Sequence, residues 1–571
     1  GKESFQNLKM NESLNSFDII YILKTKSLTS FTLNGIYEYL KPKNKNERKS
    51  IKKSIKELLK EKKIKKENGI FFLLDSESKK TKKISYKSPS KDFYVICKNF
   101  KIKPSFPDEV IKEAEKVAFI HEEEIKKRKD YRDEIVFTID GEDAKDLDDA
   151  VSIKKSGDIT TLYVHIADVS FYVKEGSNLD KEAYRRATSI YLADRVVPML
   201  PKLISNGICS LNPNEDRLTL SVEIDFDNRE RVIDYRIYPG IIRSSKRLTY
   251  EEVETIINSK KEDKFYEILK SMEFLAKKLR EKRFAEGSID FDIPETKVIC
   301  DKKSRPIEIK IAKRLFSHSI IEEFMLAANR VVAEEMHKNK TGLFRVHEDP
   351  DEEKLEHFKQ ISSSLGFETK GLKRPKNFQE FIEKIKDTDY NYILNTLLLR
   401  SMKQAYYHHQ NLGHFGLGFE TYTHFTSPIR RYPDLVVHRI IKNILGIEKS
   451  KKRDKYLYDV GIHTSKMERI AVEAERAMVK RKGIHFLKDK INKSFIGVVS
   501  GFIEKGVFVS LEDFGIEGLI PKNLIPSFKY IKGYGFKSKK EELVLGKKIK
   551  VKLISTNIEK EIIDLALEEI Y

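Results

Sequence analysis

Cysteine is scarce in this chain: Cys97, Cys209 and Cys300 are the only three in 571 residues. They lie far apart, with no CxxC pair and no Cys/His grouping. That argues against a disulfide framework and a structural zinc site, and it suits a reducing compartment. Long apolar runs are missing too. GIFFLL at 69–74 falls far below the roughly 20 residues that cross a bilayer, and no signal-peptide pattern follows Gly1. The expectation is a soluble, cytoplasmic protein without membrane association. Negative charge is in deficit, because 109 Lys and Arg stand against 89 Asp and Glu for a formal net charge of +20. Such a surface favours polyanions, above all nucleic acid, although a Lys-rich composition alone would give the same excess. Hydrophobic residues, at 40%, suffice for packed cores, and the length calls for several of them.

Against that deficit, one stretch gathers acid. TIDGEDAKDLDDAVSI, from Thr138, holds Asp140, Glu142, Asp143, Asp146, Asp148 and Asp149. Like charges this close resist joint ionisation unless something positive compensates them, and a metal ion is the natural candidate. Asp140 is expected to end one strand and Asp148 and Asp149 to begin the next, so the loop turns the aspartates at 140, 146, 148 and 149 toward a common point. Oxygen donors without His or Cys select magnesium or manganese over zinc. A calcium EF-hand does not fit, since counting from Asp140 or Asp143 finds neither the position-six Gly nor the position-twelve Glu. Taken alone, the loop reads equally well as a solvated acidic turn. A second segment, ETYTHFTSPIRRYPDLVVHR at 420–439, sets Thr426, Ser427, Arg430, Arg431 and Asp434 around a Pro-constrained turn that enters a helix. Two adjacent guanidiniums suit phosphate oxygens and the charge that grows on phosphorus during hydrolysis; the alternative is an Arg pair in surface salt bridges.

The organisation is that of a multidomain α+β protein. Residues 1–75 carry three helix-like segments, LNSFDIIYILKTK, TLNGIYEYL and NERKSIKKSIKELLKEKK, the last with Ile51, Ile55, Leu58 and Leu59 on one face. IKKENGIFFLL follows as two short runs joined at Asn68-Gly69, completing a winged-helix domain for nucleic acid or, alternatively, for docking. Residues 76–131 read as a polar linker and lead-in, with a helix over DEVIKEAEKVAFIHEEEIKKR. Residues 132–447 read as a mixed α/β domain. Strands are expected at EIVFTI, AVSIKK and TLYVHIADVSFYV, and helices farther on, including SHSIIEEFMLAANRVVAEEMHKN. A connecting helix at 448–490 places Met467, Ile470, Ala471, Ala474 and Met478 on its buried side. Residues 491–571, short strands with glycines at the turns, suit a five-stranded OB barrel. There Phe495, Phe502 and Phe508 either face nucleic acid or fill the core.

DGEDAKDLDDA, RATSIYLADRVVPMLPKLISNGICSLNP at 186–213, GSIDFDIPE at 287–295 and THFTSPIRRYPDLVVHR together resemble the RNB catalytic domain of the ribonuclease II/ribonuclease R family, in the family's order. The winged helix before it and the C-terminal S1 RNA-binding domain are similar to the ribonuclease R branch. The resemblance implies a processive 3′→5′ exoribonuclease that releases nucleoside 5′-monophosphates with divalent metal, acts in RNA turnover and is able to attack structured RNA. Its partners would be single-stranded RNA and RNA with 3′ overhangs, its state a monomer without a stable protein partner. By motif, Asp140, Asp146, Asp148 and Asp149 would be the catalytic and metal-binding carboxylates, with Asp148 the most sensitive. Tyr191 would stack on the 3′-terminal base, Arg430 would contact the scissile phosphate, and Arg431 would help bind RNA. Phe291 would form the far side of the base clamp, Tyr250 and Glu323 would read the ribose, and Glu475 would assist. The family usually carries two cold-shock OB domains ahead of catalysis. The stretch 76–131 is too short for them, so either this lineage lacks them or the chain omits residues near 76–91. Two other classes stay open: a catalytically silent RNA-binding relative, and a winged-helix DNA regulator.

Overall fold

The apolar spacing of KNERKSIKKSIKELLK produces a helix, Lys45–Lys60, that buries Ile51, Ile55 and Leu58 along one face. Beside it β1 (Ser30–Phe31), β2 (Ile64–Glu67) and β3 (Ile70–Leu73) pair antiparallel in the order β1-β3-β2. The structure, a computed structural model, describes parts of 30–73 and then residues 88–571, apart from 260, 292–294, 313, 389 and 449–453. The first expected helix, most of the second and the Asn68-Gly69 turn lie outside the described residues. The chain forms two compact units, Gly1–Ser85 and Tyr86–Tyr571.

The second unit is built on a seven-stranded sheet. In chain order its strands are β4 (Lys129–Asp130), β5 (Phe137–Asp140), β6 (Asp149–Ser156) and β7 (Ile159–Ala167). After a separate hairpin, β8 (Ile190–Leu192) with β9 (Arg195–Val197), come β10 (Asp216–Phe226), β11 (Val232–Arg243) and β12 (Lys246–Thr249). The spatial order is β12-β5-β6-β7-β10-β11-β4, with β12 parallel to β5 and β4 parallel to β11. The inward residues Phe137, Val151, Val164 and Leu220 share one core with Ile320, Phe324 and Val331 of the helix Phe316–Lys338 and with Leu435 and Ile440 of the helix Tyr432–Ile444.

Two expected elements break where polar groups intervene. The run TLYVHIADVSFYV leaves the sheet at Ala167, because Asp168 accepts the Phe171 N–H at 3.2 Å and caps a helical turn, Val169–Tyr172. The Asp168 carboxylate is itself held by Arg128 at 2.8 Å and Lys442 at 2.7 Å, in a fully buried group. The single helix expected over 108–128 is two, Asp108–Val117 and Glu122–Ile125. His121 takes an extended conformation and Glu122, Glu123 and Glu124 fill the next first turn, where acidic side chains favour a new helix start. From residue 88 to 131 no OB barrel occurs among the described residues; the helix Asp92–Asn99 packs Phe93, Ile96 and Cys97 inward, and β4 joins the sheet.

Farther along run β13 (Thr296–Cys300), β14 (Pro306–Ile311), β15 (Phe344–Val346) and β16 (Tyr406–His408). A 34-residue helix, Asp454–Leu487, then buries Ala471, Ala474 and Met478, with Met467 and Ile470 half-buried. It leads to the expected five-stranded closed barrel. That barrel comprises β17 (Ser494–Ile503), β18 (Gly506–Leu511), β19 (Ile516–Pro521), β23 (Lys548–Asn557) and β24 (Ile562–Ile570). A small sheet of β20 (Lys529–Ile531), β21 (Gly535–Lys537) and β22 (Glu542–Val544) is inserted in it. Its core takes in Ile484 and Leu487 from the helix and Ile309 from β14, so the barrel is seated on the rest of the second unit. Phe495 and Phe502 pack partly against that core, and Phe508 is half-buried. No helix among the described residues is long and apolar enough to cross a membrane.

Candidate active site

The acidic loop connects neighbouring strands. β5 and β6 pair antiparallel at Phe137 and Val151, and the chain between them runs from Asp140 to Asp149. Main-chain ties shape it on both limbs. Arg247 of β12 donates from Nη2 to the carbonyls of Gly141 (2.8 Å) and Glu142 (2.5 Å). Ser210, in the GICSLNP stretch, donates to the Lys145 carbonyl at 3.0 Å and accepts the Leu147 N–H at 3.1 Å.

The second predicted segment meets this loop across 281 residues of sequence: the Ile429 N–H donates to Asp148 Oδ1 at 2.8 Å. Asp148 is buried, and its Oδ2 lies 3.6 Å from Nε of Arg430, whose half-exposed side chain also donates to Ser427 Oγ at 3.1 Å. Two aromatic residues join from other elements. On β8, the Tyr191 hydroxyl donates to Asp146 Oδ2 at 2.8 Å and its N–H donates to Glu475 Oε1 at 2.9 Å. Tyr250 follows Thr249, the parallel partner of Asp140, and its ring stacks on His318 with centroids 3.9 Å apart. The structure thus gathers Asp140, Asp146, Asp148, Asp149, Tyr191, Tyr250, Arg430 and Glu475 at one place.

Electrostatically this place is short of positive charge. Burial, the neighbouring Asp149 and Asp146 push the Asp140 carboxyl up to about 8, against the pull of Arg247 and Arg430. Burial raises Asp149 to about 6 despite Arg430 and Arg431. Asp148 is held well above the usual carboxylate range by burial, with Arg430 and the Ile429 N–H opposing. Burial likewise lifts Glu475. The hydroxyls of Tyr191 and Tyr250 are pushed upward by burial and by the aspartates, so they remain donors. Asp140 Oδ2 is buried without a hydrogen-bond partner. Among the described residues no three Asp, Glu, His or Cys side chains form a finished ligand cage. The donor chemistry nonetheless fits a hard divalent cation, because an orphaned carboxylate oxygen and acids driven toward protonation are what such an ion relieves.

Three other expected residues are engaged in the surrounding structure. Arg431 lies close enough to act on Asp149, while its Nη2 donates to the buried Asp434 at 2.7 Å and Asp434 in turn accepts the Ser427 N–H at 2.8 Å, so the pair braces the turn that presents Arg430. Glu323 is 2% exposed and receives Arg283 through Nη2 at 2.6 Å and Nε at 3.1 Å, so both of its carboxylate oxygens are engaged inside the core. Glu322, one turn from His318 and more exposed, shares the helix face that meets Tyr250 and pairs with Arg314. Phe291 packs at the edge of another cluster, around Ile289, Phe378 and Phe415. Arg247, Ser210, His318 and Glu322 were missed from sequence. Ser210 lay in a quoted motif, His318 and Glu322 lay in a run read only as a helix, and nothing local marked Arg247.

The RNB domain family matches residues 128–447, more than half of the chain. Ribonuclease R of Aquifex aeolicus is 42% identical over 498 residues, covering 83% of this chain and 70% of that protein. Ribonuclease R of Thermotoga maritima is 43% identical over 441 residues, covering 74% and 62%. Among solved structures, Mycoplasma genitalium RNase R in complex with ribose-methylated single-stranded RNA aligns with a TM-score of 0.80 at 30% identity, over 84% of this chain and 78% of that one. The chain belongs to the ribonuclease R family of RNB-domain exoribonucleases.

Proposed function

We propose that this chain hydrolyses RNA processively from its 3′ end, releasing nucleoside 5′-monophosphates, with magnesium or manganese at the acidic loop. The observation that carries the reading is the meeting of Asp148 with Ile429 and Arg430 beside Tyr191 and Tyr250. Tyr191 offers a ring 40% exposed, fixed at its hydroxyl by Asp146 and at its main chain by Glu475, and a base of any identity can stack on it. The protonated Tyr250 hydroxyl reads the 2′-OH, with Glu322 rather than Glu323 on the same side. A deoxyribose would leave that buried donor unpaired. Arg430, aimed by Asp148 and Ser427, takes a non-bridging oxygen of the scissile phosphate and stabilises the charge that grows there. Asp140, Asp146, Asp148 and Asp149 would hold the metal, which when bound would supply Lewis acidity for activating water and for offsetting charge on the departing 3′ oxygen.

The N-terminal unit and the S1-type barrel would draw single-stranded RNA and 3′ overhangs toward this site, and the +20 charge supports that role. The protein would work as a cytoplasmic monomer in RNA turnover, on structured RNA as well. The test follows a 5′-labelled RNA with a single-stranded 3′ end over time, in magnesium and in EDTA, beside DNA of the same sequence. Stepwise conversion to a short labelled product, only with metal and only for RNA, is the expected result. Tight RNA binding without shortening would replace this reading with that of a silent RNA-binding relative.

A further inference from the structure

Tyr191 rides on a hairpin that cannot hold its own shape. β8 and β9 have three residues each around the two-residue turn Ala193-Asp194, and so small a hairpin is not independently stable. Apolar contacts cover it on both sides: Ile190, Leu192 and Val197 are buried with Phe93, Ile96 and Cys97 of the helix Asp92–Asn99 and with Ala471, Ala474 and Met478 of the long helix. Such packing sets spacing but is non-directional. Direction comes from two polar ties on the long helix, two turns apart. Glu475 accepts the Tyr191 N–H. Seven residues on, Lys482 is 0% exposed, its ammonium 3.5 Å from Asp194 Oδ2 and 3.4 Å from Asp92 Oδ2. It donates to the carbonyls of Pro89 (2.9 Å) and Ser304 (2.7 Å).

Asp194 is correspondingly dependent on this cation. Its side chain is buried, neither oxygen has a hydrogen-bond partner, and its other charge partner is Arg195 at 3.6 Å. Arg195 itself lies over the Phe93 ring at 4.5 Å. A buried ammonium that served only to fill space would be disfavoured against an apolar side chain of the same length. What the charge adds is a fixed bearing for the hairpin turn relative to the helix that also carries Glu475.

We infer that Lys482, acting through Asp194, is a positioning residue for Tyr191, setting the angle at which the hairpin presents its ring to the 3′-terminal base. The inference rests on the base-stacking role proposed for Tyr191. Asp194→Asn tests it with little risk to the fold, because the carboxamide keeps the shape of the turn and Lys482 retains Asp92 and two carbonyls. The probe is an RNA ending in 2-aminopurine at its 3′ nucleotide, bound in magnesium to protein that carries Asp148→Asn and does not cut it. Stacking on Tyr191 quenches this base. With an unchanged melting curve, Asp194→Asn should lose most of the quenching and about fivefold in RNA affinity. Lys482→Met, which removes the tie from the other end, should do the same. Added to Tyr191→Ala, the Asp194 substitution should cost nothing further, since its effect passes through that ring. Unaltered quenching in Asp194→Asn overturns the inference, and so does an additive loss in the double variant, which would make Asp194 a general support. Cleavage by the unsubstituted protein is scored separately. An inactive parent that still quenches would leave this inference standing while the nuclease reading fell; a parent that binds RNA without quenching removes both Tyr191's stacking role and the inference.

Discussion

Asp148 has one oxygen committed to the Ile429 N–H and the other facing Arg430, so its charge bears on both halves of the site at once. Asp148→Asn keeps the shape and removes that charge. RNA cleavage in single-turnover assays should fall by more than about 10³-fold while RNA binding by filter retention changes little. Arg430→Ala should cost about 10²–10³ in rate with an unchanged melting temperature. Its neighbour behaves oppositely: Arg431→Ala strands the buried Asp434 and should lower stability by about 3 kcal/mol, read by denaturant unfolding. The acids also set a pH dependence. Asp140 at about 8 and Asp149 at about 6 lie above the unfolded carboxylate value near 3.9, so between those limits the metal-free folded state binds protons that the unfolded chain does not. Stability in EDTA should therefore decline as pH rises from about 4 to about 8, and Asp140→Asn should flatten that decline between about 6 and 8. Magnesium binding at pH 7 should release protons, measured by calorimetry in buffers of different ionisation heat. A rise in EDTA stability across that window would contradict the assignment.

At the scale of elements, the long helix Asp454–Leu487 organises most of the second unit, and its contact with β16 depends on the absence of a side chain. A Cβ at Gly461 would lie 2.5 Å from the Tyr407 carbonyl oxygen, a backbone atom that cannot step aside. Gly461→Ala should lower thermal stability by roughly 1–3 kcal/mol despite alanine's better helix propensity, as thermal melting will reveal. The same elements show what could be read beforehand. The acidic loop was legible because five aspartates and a glutamate fall within ten residues between two strand-like runs, and the barrel because its strands alternate between glycine turns. The Glu323–Arg283 pair was not legible, since a single step along a helix turns a side chain by about 100°, and local sequence does not say which of two adjacent glutamates faces Arg283. Arg247 and Lys482 were invisible for a related reason: each acts on a partner more than a hundred residues away. Asp168 was read as part of a strand run, and its capping role and its buried partners Arg128 and Lys442 became legible only in the fold.

At the scale of the whole molecule, a net charge of +20 coexists with an acidic centre, so binding and chemistry should respond differently to salt. RNA affinity should fall steeply and log-linearly with salt concentration, and Asp148→Asn should show the same slope, because the phosphate contacts lie along the approach rather than at the loop. A flat dependence in titrations at matched magnesium would argue against a phosphate-tracking surface. The meeting of Asp148 with Ile429, and of Tyr191 with Glu475, has a consequence for how the protein is made. Contacts of such long sequence separation form late, after the intervening chain exists. While the chain is still being synthesised, the acidic loop can fold on its sheet without the arginine or the braced tyrosine. Until the last third of the chain has left the ribosome, Asp148 lacks Ile429 and Arg430, and Tyr191 lacks Glu475.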